Sequence, residues 1–393
     1  MEKTLIHHFK KIFIDEKSRD SKVAERFIQF FPREKIEFVQ GPPKLGKFGE
    51  HRGDLTAEQF ALSKRLLYIK PFEGSFFKRC PGFSQKKALT CCNYHVLNLG
   101  QQCNFNCSYC YLQSYLNSPT MMIFSNLDQA LNELHEMATQ FPNLPFRVGT
   151  GEVIDSLSLD PLTLFSVELI EFFRQFPAWT LELKTKSANV DQFLNSEHAG
   201  NVVVSWSINA EQIIESEEHG TARLHERLEA AKKVINRGFR VAFHLDPLIW
   251  HPEWKTSYGE LIHKIVSQFT AEEVQLISLG TLRFQPEQRH MMRERFGMTS
   301  KVVQAEMHPS ESGKLRYDSG LRREMFNFMM SQFRVDELAK GKKWNILMCM
   351  ETPETWISQY EDSPMRIDNL KDLWRPLPKI RPTKKPEVQT PQY

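Results

Sequence analysis

Cys103, Cys107 and Cys110 are separated by three and then two residues, and Tyr111 follows directly. Three thiolates on one short loop can wrap one corner of an iron–sulfur cube and leave the fourth iron without a protein ligand. The amino and carboxylate groups of S-adenosylmethionine suit that open position. An electron passed to the sulfonium would then release a 5′-deoxyadenosyl radical. The rival chemistry is a closed structural zinc site, for which Cys91, Cys92 or His95 would supply a fourth ligand. Six of the seven cysteines lie between Cys80 and Cys110, and Cys80, Cys91 and Cys92 leave a second metal site open. Cys349, in the apolar run Ile346–Met350, reads either as a buried apolar side chain or as a thiol that delivers a hydrogen atom to the reaction.

Other chemistry-bearing residues fall at the ends of β-rich runs. Gly149, Gly151 and Glu152 close one run: the glycines let backbone approach a ligand, and the carboxylate can hold an ammonium. Lys184 and Lys186 end the next, and Ser207 and Asn209 the one after. These are candidate contacts for the carboxylate and ribose of the cofactor, or solvated strand ends. His244 and Asp246 are two apart on a strand and so share a face, as mouth-lining groups or as a buried hydrogen-bonded pair. Tyr109, inside the cysteine motif, and Tyr111 are aromatic candidates beside the cofactor.

These residues need a scaffold that aims strand ends at one point. Runs at Val96–Leu99, Phe146–Thr150, Leu181–Thr185, Val202–Ile208, Arg240–Leu245 and Val274–Leu279 read as strands. Helical periodicity lies between them near 127–140, 161–175, 222–237 and 257–269, with a further helix after Pro286. Alternating elements of this kind imply parallel strands joined by right-handed crossovers. The expectation is an α/β protein with a partial (β/α)6 TIM-like barrel, its chemistry at the C-terminal strand ends. The barrel is expected over 91–350. Residues 1–90 read as an N-terminal α/β extension with a helix over 22–31 and strands at 36–39 and 65–69. The 321–333 stretch reads as a helix and 345–350 as a late strand. Residues 351–393 read as a C-terminal extension, disordered after about 376 because the chain there is Pro- and Lys/Arg-rich. A net charge of +3 does not by itself point to nucleic acid. No secretory signal or spanning apolar run is evident, so a cytoplasmic, membrane-free setting is expected.

The stretch Cys103–Leu116, Cys-Asn-Phe-Asn-Cys-Ser-Tyr-Cys-Tyr-Leu-Gln-Ser-Tyr-Leu, resembles the spore photoproduct lyase family of radical S-adenosylmethionine enzymes. The likeness continues in Lys64–Tyr68, Phe77–Pro81, Glu182–Lys186, Ser205–Asn209 and Arg227–Val234. The resemblance implies a [4Fe-4S] cluster on the three cysteines, S-adenosylmethionine as radical initiator, an electron donor such as flavodoxin or ferredoxin, and ultraviolet-damaged DNA as partner. It places Tyr111 and Lys184 near the cofactor. Two departures stand out. The family's hydrogen-donating cysteine lies at the end of the second strand, and residues 147–152 contain none. The family's Arg- and Tyr-rich DNA-wedging hairpin is reduced to Lys314-Leu-Arg-Tyr-Asp318. Radical chemistry on a modified base, peptide or metabolite therefore stays open, as does a non-catalytic zinc- or cluster-binding protein. Arg283, Arg289, Arg293, Arg295, Lys314, Arg316, Arg322 and Arg323 read as a phosphate-facing groove or a solvated face.

Overall fold

The computed structural model describes residues 2–45, 55–80, 89, 94–115, 118–352 and 355. Cys91, Cys92 and the tail after 376 lie outside the described residues.

Two sheets organise the chain. The larger has eight strands in the order 346–348, 274–281, 240–248, 202–207, 180–185, 147–149, 94–97, 77–79. The first seven run parallel, and Phe77–Arg79 pairs antiparallel with the 94–97 strand. All six strands read from sequence are present, and the late run joins the sixth through Ile277↔Ile346 and Leu279↔Met348. The sheet is therefore an open, curled half-barrel of seven parallel strands. Val202, Val203 and Val204 are all buried, as expected for a strand covered on both faces.

The smaller sheet runs 36–39, 11–15, 66–70, 121–124, 100–101. Its second strand Lys11–Asp15 and its fourth strand Met121–Phe124 were not legible as strands in sequence. Hydrogen bonding crosses residue 90 in both directions: 121–124 completes the N-terminal sheet, and 77–79 extends the barrel sheet. One apolar core runs from Leu5 to Met348 and joins both sheets.

The helices follow local signals. Lys22–Phe30 starts where Ser21 accepts from Ala24 N–H, an N-cap that satisfies an orphan donor. The expected 161–175 helix is split at Leu164, which sits at φ 52°. Helix Ser319–Lys340 outruns its expected end and closes at Gly341, φ 71°, the left-handed position glycine favours. Among the described residues no helix is long and apolar enough to cross a membrane.

Candidate active site

The three cysteines lie on the loop that leaves the first barrel strand, and several distant elements pin its backbone. Asn106–Cys107 pairs antiparallel with Glu218–His219, and Ser108 N–H donates to Glu217 O at 2.8 Å. Lys64 Nζ donates to Cys103 O at 2.9 Å. Gln288, fully buried, donates from Nε2 to Cys110 O at 3.0 Å and Tyr109 O at 3.2 Å. Phe105 N–H points at Cys103 Sγ, 3.4 Å away.

Burial pushes the Cys103 thiol up to about 12, with the Asp155 and Cys110 charges adding to the rise. Burial likewise raises Cys107, and Cys103 and Cys110 raise it further. Among the described residues no group of three His, Cys, Asp or Glu side chains stands close enough to hold a metal ion as the side chains lie. The donor chemistry nevertheless fits an iron–sulfur group: three soft ligands on one pinned loop, whose deprotonation a bound cation would offset.

Beside the loop, three candidate residues come together. Tyr111 donates its hydroxyl to Glu152 O at 2.5 Å, and Lys184 Nζ lies 4.0 Å from Glu152 Oε2. Burial alone would lower Lys184, but the carboxylates of Glu152 and Glu182 hold it above its usual value. The glycines are closely packed against protein groups. A Cβ on Gly149 would sit 1.6 Å from Tyr94 Oη, and one on Gly151 would sit 2.7 Å from Lys184 O. Protein groups, namely the Tyr94 phenol and the Lys184 backbone, occupy the space these glycines free.

Tyr109 is tied to the framework. Its hydroxyl donates to Glu218, which pairs with the wholly buried Arg227 at 2.7 Å. Ser207 faces the same anchor, its carbonyl accepting from Arg227 Nη1 at 2.7 Å. Asn209 is also engaged structurally: Oδ1 accepts from Tyr258 at 2.7 Å and Nδ2 donates to Pro247 O at 2.9 Å.

His244 belongs to a buried network that the sequence did not single out. Glu182 accepts from Arg147 Nε at 2.5 Å, Ser205 Oγ at 2.5 Å and His244 Nε2 at 2.8 Å. Burial alone would raise Glu182; Arg147 and His244 bring it well below the usual carboxylate range. Burial lowers His244, and the Glu182 carboxylate offsets only part of this. One signal was available. Glu182 stands two before Lys184 on a strand, between leucines, and therefore shares its face.

At the far side of the mouth, Asp246 holds Arg283 through two bonds of 2.9 and 3.0 Å. Arg283 Nη2 lies 3.8 Å from Cys349 Sγ. Cys349 directly follows the seventh parallel strand, and its N–H donates to Leu279 O at 2.7 Å, so this strand brings the thiol beside Arg283 at the mouth. Cys80, beside the first strand, donates its N–H to Tyr94 O at 2.9 Å.

The expected arginine groove is partly dismantled. Arg283 pairs with Asp246, and Glu351 takes Arg316 at 3.3 Å and Arg322 at 3.4 Å. Arg316 is 2% exposed and Tyr317 is fully buried, its hydroxyl accepting from Trp250 N–H at 2.9 Å.

Comparison with known proteins adds the following. A family model described as spore photoproduct lyase matches residues 9–326. The spore photoproduct lyase of Geobacillus sp. (strain Y412MC61) is 29% identical over 234 residues, covering 58% of this chain and 64% of that protein. That of Bacillus subtilis (strain 168) is 34% identical over 168 residues, covering 42% and 48%. That of Clostridium acetobutylicum is 22% identical over 311 residues, covering 79% and 89%. The chain thus spans less than two thirds of the first two relatives, 64% and 48%. A solved spore photoproduct lyase complexed with dinucleoside spore photoproduct superposes with a TM-score of 0.72 at 21% identity, covering 86% of this chain and 98% of that one. A mutant form with bound AdoMet and the same dinucleoside gives 0.71 at 21% identity, covering 88% and 99%. These structural likenesses carry the fold, a partial barrel of the same kind.

Proposed function

The chain belongs to the spore photoproduct lyase family, and on that footing we propose that it is a radical S-adenosylmethionine enzyme acting on a thymine photoproduct of DNA. Cys103, Cys107 and Cys110 are the residues that would hold a [4Fe-4S] cluster. Tyr111, Glu152 and Lys184 are those that would face S-adenosylmethionine. When bound, these groups supply one-electron cleavage of the sulfonium and the 5′-deoxyadenosyl radical. Glu152 offers a carboxylate to the amino group, and Lys184, kept protonated by its acidic neighbours, offers a cation to the carboxylate. The buried Arg147–Glu182–His244 network fixes the floor beneath them. Cys349 is assigned to the end of the reaction. Its S–H bond breaks as a C–H bond forms on the product, and one electron from a donor protein together with a proton from solvent returns the sulfur to a thiol. The observation that carries the reading is the cysteine loop, docked at the first strand end of a curled parallel sheet with Tyr111, Glu152 and Lys184 beside it.

The test is anaerobic turnover. Protein reconstituted with iron and sulfide is given reductant, S-adenosylmethionine and dinucleoside spore photoproduct, and 5′-deoxyadenosine and thymidine are quantified. Both are expected to rise with the photoproduct. Cys349→Ala is expected to keep cofactor cleavage and lose thymidine recovery. Absence of 5′-deoxyadenosine overturns the enzyme reading, and normal thymidine recovery by Cys349→Ala overturns the role of that thiol.

A second reading keeps the radical chemistry and changes the substrate from duplex DNA to a smaller molecule. The inward placement of Arg316 and Tyr317 favours it, because neither side chain is free to wedge a duplex. It predicts turnover of the dinucleoside without turnover of the same lesion in a duplex.

A further inference from the structure

Gln102, the residue before Cys103, is fully buried, and among the described residues neither its Oε1 nor its Nε2 has a hydrogen-bond partner. A buried amide left unpaired bears its full desolvation penalty, so native proteins nearly always pair such groups. Gln102 Nε2 is the one carboxamide nitrogen among the described residues in this position. The backbone adds a second cost. Gln102 sits at φ 71°, a region that residues with a Cβ rarely enter and that clusters where surrounding structure enforces it for function. The enforcing elements are visible. Gly100 and Gln101 are locked antiparallel to Ile123 and Met122, and Lys64 holds the Cys103 carbonyl. The chain is thus held in a strained turn that buries a polar side chain one residue before the first cysteine of the loop and gives it no protein partner among the described residues.

We propose that Gln102 Nε2 donates a hydrogen bond to sulfur at the cluster site, which makes it a positioning residue that sets the ease of one-electron reduction. The proposal rests on the cluster reading given above. Phe105 N–H already points at Cys103 Sγ, so amide donation to sulfur has a precedent on this loop. A donor to sulfur favours the more negative, reduced state, and hydrogen bonds to sulfur are among the levers that set cluster potentials. The other occupant consistent with an unpaired buried amide is an ordered water, and that alternative leaves the potential unmoved when the side chain is removed.

The test uses the full chain reconstituted with iron and sulfide, comparing wild type with Gln102→Met and Gln102→Gly. The first keeps length without the donor. The second removes the side chain and relieves the left-handed backbone, so it remains informative if the first fails to fold. Iron and sulfide content is measured first, then the midpoint potential by titration followed by electron paramagnetic resonance, without S-adenosylmethionine. Full loading is expected, with the midpoint moved downward by about a tenfold change in the reduction equilibrium, ~59 mV for one electron. Full clusters with an unmoved potential in both variants overturn the proposal alone. A wild-type chain that assembles no cluster overturns the cluster reading, and this proposal with it.

Discussion

Gly149 and Tyr94 form an interlock that a double-mutant cycle can measure. To open the 1.6 Å approach between a Cβ at 149 and Tyr94 Oη to an ordinary 3.4 Å contact, the phenol must retreat by about 2 Å in a close-packed interior. It has little room to do so. Tyr94 is 7% exposed, the Arg147 guanidinium lies 4.9 Å from its ring centroid, and Cζ and Cε2 lie 2.3 and 2.7 Å from the same Cβ. Overpacking of this kind costs ~1–3 kcal/mol, and Gly149→Ala is expected at the upper end. In a Tyr94→Ala background the clash is gone, and the glycine-to-alanine change should be neutral or stabilise by ~0.4–1 kcal/mol through the unfolded chain. The coupling energy should therefore be ~3–4 kcal/mol, at or just above the top of the range for residues in contact. Urea unfolding of the four proteins, compared at fixed m-value, provides the measurement. Gly149→Ala as stable as wild type, or an equal loss in both backgrounds, refutes the interlock. The same geometry bears on function. A thiol restored by Gly149→Cys, at the strand end where the family's donor is expected, needs Tyr94 trimmed before it fits.

Three further outcomes are expected. Glu218→Gln leaves the buried Arg227 without its carboxylate, a break that costs ~3–5 kcal/mol; thermal melts and iron content should both fall, and unchanged values in both contradict the anchoring role. Burial holds His244 below its usual 6.5, so the unfolded chain takes up that proton first and stability is lost as pH falls below 6.5. The melting temperature of wild type should drop more steeply from pH 7 to pH 5.5 than that of His244→Gln, and parallel curves count against this. Asp246→Asn removes the charge that fixes Arg283 beside Cys349, worth ~1.5–3 kcal/mol. Thymidine recovered per 5′-deoxyadenosine should fall, and an unchanged ratio dissociates the pair from the thiol.

What the sequence revealed was local. The cysteine spacing and the valine-, isoleucine- and leucine-rich runs need only neighbours to be read, and the half-barrel followed from their alternation with helices. Pairings across long separations did not follow. Lys11–Asp15 is five residues whose membership of a sheet depends on partners at 36–39 and 66–70. Ile346–Met348 extends the barrel because Ile277–Leu279 waits for it. The site divides in the same way. Tyr111, Glu152 and Lys184 end strands or loops next to the motif, and the fold gathers them. Arg147, Glu182, Glu218, Arg227 and Gln288 read as ordinary polar interruptions, and Arg283 as part of a phosphate-facing groove, since only tertiary pairing reveals that their charges and amides are buried and matched. Gly149 shows the limit most clearly. A glycine signals that something comes close, and here that is a tyrosine from the neighbouring strand.

The central claim is that Cys103, Cys107 and Cys110 hold a cluster that fires S-adenosylmethionine. Its most direct test is metal analysis and electron paramagnetic resonance of the anaerobically purified chain beside Cys103→Ala, Cys107→Ala and Cys110→Ala. The wild type is expected to be brown and oxygen-sensitive, with about four irons and four sulfides per chain and a reduced-cluster signal that S-adenosylmethionine perturbs, and each variant is expected to lose both. A colourless wild type carrying zinc, or a cluster that survives all three substitutions, contradicts it.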